Sequence, residues 1–176
     1  ASARQMLESS APVTAAITTY TPAGPGTAGS ITLDVKVTNL SGHKLPTGYS
    51  EGRRMWLNVQ LRDAKNQLVA ESGAYDAATA TLTEDVQARV YEVLQGIWNA
   101  GTQSCQVEEA GTKKFHFVLN NCVAKDNRIP PLGFRPKSAD DPDGLEVPPV
   151  AAMYPETAPG SGGLVNFDQA SYTFGL

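Results

Sequence analysis

Apolar and polar residues alternate with period two along several stretches of this chain. Ile31, Leu33, Val35 and Val37 alternate with Thr32, Asp34, Lys36 and Thr38, the pattern of a strand with one buried and one wet face. Met55, Leu57, Val59 and Leu61 alternate with Trp56, Asn58, Gln60 and Arg62 and predict a second strand. The polar run Asp63-Ala64-Lys65-Asn66-Gln67 has the length of a hairpin turn, so residues 68–72 should return beside it. Further alternation predicts strands over 89–94 and over 115–119, with His116 facing opposite Phe115 and Phe117. Residues 14–21 and 172–174 fit a first and a last strand. Residues 1–8 are helix-compatible as far as Ser9-Ser10, and a helix this short is marginal alone.

Turn signals separate these stretches. Pro22-Ala23-Gly24-Pro25-Gly26 is a turn or link, and 73–85 is Ala/Thr-rich without a clear period. Residues 96–107 read as a loop carrying Trp98 and Cys105. Residues 125–136 read as extended and proline-punctuated, and 138–163 as a long Pro/Gly-rich connection. Strands at turn-separated intervals predict an all-β fold: an antiparallel Greek-key β-sandwich, immunoglobulin-like, with long loops and a short N-terminal helix. Residues 1–10 are then the end of a linker helix from a preceding region, and 11–176 a single β-sandwich domain.

One dense stretch organises the rest: Asn39-Leu40-Ser41-Gly42-His43-Lys44-Leu45-Pro46-Thr47-Gly48-Tyr49, running on to Glu51-Gly52-Arg53-Arg54-Met55-Trp56. Gly42, Gly48 and Gly52 offer positive φ or close backbone approach. Pro46 fixes its own φ and drives Leu45 toward extended backbone. A stiff, shaped loop on a β scaffold suits function, and equally suits a crossover that only has to stay folded.

Composition narrows the classes. With 41% hydrophobic and 18% charged residues the chain has the make-up of a globular protein. A net charge of −4 argues against a nucleic-acid surface, and no apolar run is long enough to span a bilayer. Ala1-Ser2-Ala3-Arg4 is neither an initiator Met nor a signal peptide, which suits a mature form, an excised domain or a proteolytic piece. Cys105 and Cys122 suit one disulfide, worth about 3 kcal/mol by chain entropy, and a disulfide would place the protein outside the reducing cytoplasm. Two buried thiols are the alternative.

Candidate chemistry is sparse. There is no Cys-x-x-Cys-His, so the chain attaches no haem covalently, and no Cys/His spacing fits zinc. His43, on its glycine-flanked loop, is a candidate axial ligand for haem iron; the alternative is an imidazole bonded to the loop backbone. His116 reads as a structural or surface histidine. Asp140-Asp141-Pro142-Asp143-Gly144-Leu145-Glu146 carries oxygen ligands but breaks the EF-hand order. Asn39-Leu40-Ser41 matches a glycosylation acceptor, a short pattern of little weight. Arg53, Arg54 and Arg128, with Glu51, Asp76 and Asp126, point to a clamp fastening the 48–54 loop to 126–131. The clamp and interaction loop thus comprise Gly42, His43, Pro46, Gly48, Arg53, Arg54, Asp126 and Arg128. Trp56, Trp98, Tyr49 and Tyr75 form a candidate aromatic platform for a carbohydrate or surface partner. No nucleophile has a local base and no phosphate-cradling loop is present, so no catalytic residue is assigned.

Four blocks in order resemble a known group. Thr38-Asn39-Leu40-Ser41-Gly42-His43-Lys44-Leu45-Pro46-Thr47-Gly48-Tyr49 with Glu51-Gly52-Arg53-Arg54-Met55-Trp56-Leu57 is the first two of them. Glu71-Ser72-Gly73-Ala74-Tyr75-Asp76 is the third, and Lys125-Asp126-Asn127-Arg128-Ile129-Pro130-Pro131-Leu132-Gly133-Phe134, after Phe115-His116-Phe117, is the fourth. Over 31–134 they resemble the C-terminal, haem-free β-sandwich region of bacterial multihaem c-type cytochromes. The resemblance implies a non-catalytic module of an exported, periplasmic or extracellular, electron-transfer protein. Its work would be shielding or docking haem-bearing regions, or assembly, including with copies of itself. Haem c is expected in a preceding region or a partner chain, and a further strand past Leu176. The cysteines are not part of the resemblance.

Overall fold

The computed structural model describes residues 2–49, 52–109, 112, 113, 118–137 and 147–176. The fold is all-β, antiparallel and sandwich-like, with one short helix. In chain order the elements are α1 (Ala3–Ser10), β1 (Val13–Thr21), β2 (Ser30–Thr38), β3 (Met55–Trp56), β4 (Val59–Arg62), β5 (Leu68–Ser72), β6 (Tyr75–Asp76) and β7 (Thr81–Leu82). There follow β8 (Val90–Tyr91), β9 (Val93–Asn99), β10 (Ser104–Gln106), β11 (Glu108–Glu109), β12 (Thr112–Lys113), β13 (Cys122–Asp126) and β14 (Phe167–Gly175). The chain divides into two compact units, each drawn from several segments. One takes residues 1–11, 39–55 and 91–167, the other 12–38, 56–90 and 168–176.

The second unit carries the strongest alternation. Its three-stranded sheet runs β1-β2-β14, so the last strand joins the second one from the far end of the chain. Ile31, Val35 and Val37 of β2 and Ala170, Tyr172 and Phe174 of β14 are buried, as period two requires. β1 pairs antiparallel with β2, Val13 opposite Val37 and Ala15 opposite Val35, with a bulge between Ile17 and Thr19. All nine of its residues are nevertheless exposed, so β1 extends the sheet without adding to the core. The 63–67 turn joins β4 to β5 as expected, Asp63 Oδ1 accepting from the Lys65 and Gln67 amides at 2.9 and 2.8 Å. Residues 73–85, patternless in sequence, hold the hairpin β6–β7. Gly73 sits at φ 68°, where a Cβ would run into the Leu57 carbonyl. Asp85 accepts from the Gly73 and Gln87 amides and the Ser72 hydroxyl at 2.8–3.0 Å. Burial pushes its pKa up, and these hydrogen bonds outweigh burial and leave it lowered.

The first unit holds α1, the organising loop and the sheet β10-β9-β13. Ser2 caps α1 reciprocally with Gln5, which explains a start at Ala3. The expected loop over 96–107 is instead the end of β9, a turn and β10, with Cys105 opposite Trp98 and Gln106 opposite Ile97. Gly96 misled as a breaker. It lies inside β9 because a Cβ there would meet the Gln106 backbone and, at 3.2 Å, the Cys105 sulphur. Cys105 and Cys122 form a disulfide, and Cys122 sits opposite Gly96 in the ladder. The expected strand over 115–119 falls largely outside the described residues.

Candidate functional site

The site grows from the residue that follows β2. Asn39 is fully buried, and its side-chain amide donates to the carbonyls of His43 at 2.7 Å and Ile129 at 2.8 Å. Its Oδ1 accepts from the Ser41 amide at 2.8 Å. The Ser41 hydroxyl lies 2.7 Å from that oxygen and 2.8 Å from the His43 carbonyl, with one proton to serve them. On the main chain, Asn39 N–H donates to the Asn166 carbonyl, and the side-chain amide of Asn166 (Nδ2) returns a bond to the Asn39 carbonyl. Each amide proton is satisfied, as burial demands. This excludes Asn39 as a glycosylation acceptor in the folded chain.

Asn39 thereby joins two of the sequence blocks, and the backbone joins them again. Leu45 and Ile129 exchange both hydrogen bonds, at 3.0 and 2.9 Å, as an isolated antiparallel bridge. The Leu45–Pro46 peptide is cis. Gly48 has φ 90°, a left-handed value that a side chain resists. Gly52 leaves room for the Tyr49 ring, whereas Gly42 faces open space.

Charge supplies the third join. Lys44 Nζ lies 3.0 Å from Asp126 Oδ2, with the two side chains only 9% and 5% exposed. The ammonium also donates to the Val147 carbonyl at 2.8 Å and stands 5.1 Å from the centre of the Phe134 ring. Arg128 meets the same carboxylate as a fork, Nε to Oδ1 at 2.9 Å and Nη2 to Oδ2 at 2.8 Å. Burial is the largest influence on Asp126 and pushes its pKa up. The hydrogen bonds from Arg128 and Lys44, with their charges, outweigh burial and hold it below the ordinary carboxylate value. Asp126 is fixed on its backbone side too, exchanging bonds with Val150. Next to it, Asn127 Oδ1 accepts from the Glu92 amide, and Lys125 pairs with Glu92 at 2.9 Å.

Asp126, expected to hold the 48–54 loop, pairs with Lys44 in the stretch before it; Arg53 donates to the Thr47 carbonyl of its own loop at 3.2 Å. Arg54 is exposed. Asp76 binds locally, to Ala78 and Thr79. Sequence reasoning passed over Lys44 and discounted Asn39, because neither residue type announces burial. The one signal was negative: a lone lysine inside a Gly/Pro-cornered loop, beside the apolar Leu45.

These joins leave an open cleft of about 320 Å³ lined by His43, Lys44, Thr47, Gly48, Arg128 and Val147. The His43 imidazole is exposed at it and makes no hydrogen bond to a described residue; only its backbone is engaged. The remaining candidates scatter. Trp56 packs against Tyr75 at 5.1 Å within the second unit, while Tyr49 and Trp98, the latter 47% exposed, belong to the first. His116, Glu51 and the acidic run over 140–146 lie outside the described residues. Among the described residues no three His, Cys, Asp or Glu side chains cluster to hold a metal ion, and no helix is long and apolar enough to cross a membrane. Comparison of the chain with protein-family models, with curated proteins and with solved structures returns no match in any of the three.

Proposed function

We propose that this chain is a non-catalytic β-sandwich module of an exported multihaem c-type cytochrome, and that its 42–54 loop is a docking surface for haem-bearing regions. The observation that carries the reading is the interlock. Two blocks of the resemblance, residues 38–49 and 125–134, are distant in sequence, and Asn39, Lys44 and the Leu45–Ile129 bridge hold them together. A loop held at Asn39, Lys44 and Leu45 in this way presents its outer side chains at low conformational cost, which favours binding. The Cys105–Cys122 disulfide supports an oxidising compartment, periplasmic or extracellular.

The residues fit haem in one limited sense. His43 offers an exposed imidazole free of described hydrogen bonds, and could ligate the iron of a haem held by another segment or subunit. Haem would supply the electron-transfer chemistry; this chain would orient and shield it. The test is the protein from its native source. Peptides of this chain should co-purify through gel filtration with covalent haem, read by the pyridine haemochrome spectrum. A haem-free native protein would overturn the reading. His43→Ala should alter the low-spin spectrum and potential; if it alters neither, the axial role falls while the docking role stands. A glycan- or surface-binding module is the second reading, favoured by Trp98 alone, and glycan binding lost in Trp98→Ala would promote it.

A further inference from the structure

The cleft gathers positive charge on an otherwise acidic chain. Lys44 and Arg128 line it, and Arg53 lies against Gly48 at its rim. Among the described residues Asp126 is the one carboxylate within the network, beside the cations Lys44, Arg128 and Arg53. The chain as a whole carries −4.

The donors there are also incompletely used. Arg128 turns Nε and one edge of Nη2 to Asp126. Its outer edge, Nη1 with the second proton of Nη2, donates to no described residue. Neither do the Thr47 hydroxyl and the Gly48 amide, and the His43 imidazole is free beside them. Lys44 is different, since the Asp126 carboxylate, the Val147 carbonyl and the Phe134 ring occupy it. A guanidinium locked from behind by a carboxylate presents its remaining edge in a fixed plane, and that edge matches two oxygens of one oxyanion.

We infer that the cleft is an oxyanion site: it takes a carboxylate or phosphate group on the outer edge of Arg128, with Thr47 and His43 as flanking donors. The inference deepens the docking reading and rests on it for the source of the group, a carboxylate presented by the docked partner.

The experiment is a ¹H–¹⁵N NMR titration of the 176-residue chain at low ionic strength, where surface charge is least screened. Sodium acetate and inorganic phosphate are added separately, with sodium chloride at matched ionic strength as control. The Arg128 Nε–H and the Thr47 and Gly48 amides should shift saturably, with a midpoint of about 1 mM for one anion. The tighter of the two identifies the class. Thr47→Val and His43→Ala, both at exposed positions, should each raise the midpoint severalfold. Arg128→Lys keeps the charge but loses the fork and should raise it about tenfold. Absence of saturation by either anion, or midpoints unchanged in all three variants, would overturn the site. Saturation in a protein whose native form is haem-free would keep the site and sink the cytochrome reading; haem without saturation would do the reverse.

Discussion

Replacing Lys44 by Met tests the join that matters most to the loop. Methionine keeps the length and most of the volume of the lysine stem and removes the ammonium. Three interactions go: the 3.0 Å bond to Asp126, the 2.8 Å bond to the Val147 carbonyl and the cation above Phe134. A charge-assisted hydrogen bond of this kind contributes about 1.5–3 kcal/mol. Breaking a buried pair outright costs about 3–5 kcal/mol, because the surviving charge is left uncompensated. Asp126 is not left so, since Arg128 still grips both its oxygens. The expected loss is therefore about 2–3 kcal/mol. With a urea m-value of about 2 kcal/mol/M, the midpoint should fall by about 1–1.5 M. Trp98 lies in the same unit as Lys44 and serves as the fluorescent reporter. A loss below about 0.5 kcal/mol, the range of an exposed pair, would refute the buried clamp.

Three further outcomes follow from the same contacts. Asp126 has a folded pKa depressed below its ordinary 3.8, so the unfolded chain binds the proton more readily. Its stabilisation is full above that ordinary value and is lost as pH falls through the folded one. The gap in urea midpoint between the native chain and Asp126→Asn should close in that acid range, and a gap constant with pH would contradict it. Asn39→Asp keeps the shape but turns a donor into an acceptor facing the His43 and Ile129 carbonyls. It should cost about 3 kcal/mol in chemical denaturation, and a neutral substitution would mean that the amide is not the link. Tyr172 is buried with a hydroxyl that has no hydrogen-bond partner among the described residues, and burial pushes its pKa to about 12. Tyr172→Phe should be neutral or stabilise by up to about 1 kcal/mol, and ultraviolet titration should show one phenol resisting ionisation until the fold opens.

The sheet was readable and the joins were not. Period two placed β2 and β4 because a half-buried strand must write its two faces into the sequence, and the polar 63–67 turn placed β5 beside β4. The same rule says nothing about depth. β1 pairs with β2 along its length, yet all of it is exposed. Gly96 and Gly73 look alike in sequence, but one is the passing place of two strands and the other a left-handed turn. Cys105 and Cys122 pair as their number allowed. Among the site residues, Asp126 and Arg128 were legible because arginine pairs with carboxylates as a fork, and the two meet in that way. Lys44 and Asn39 lie 82 and 90 residues from their partners, and their burial is a property of tertiary packing that local pattern does not carry.

Amide hydrogen exchange at Leu45 and Ile129 tests the interlock most directly. These two residues exchange both backbone bonds while Asn39 holds the Ile129 carbonyl from the side. The account predicts that both amides exchange slowly and at the same rate, as slowly as the β9–β13 ladder, because they open only when the unit unfolds. Fast exchange at Leu45 beside slow exchange at β9 would show a loop that opens alone, and would contradict the locked docking surface.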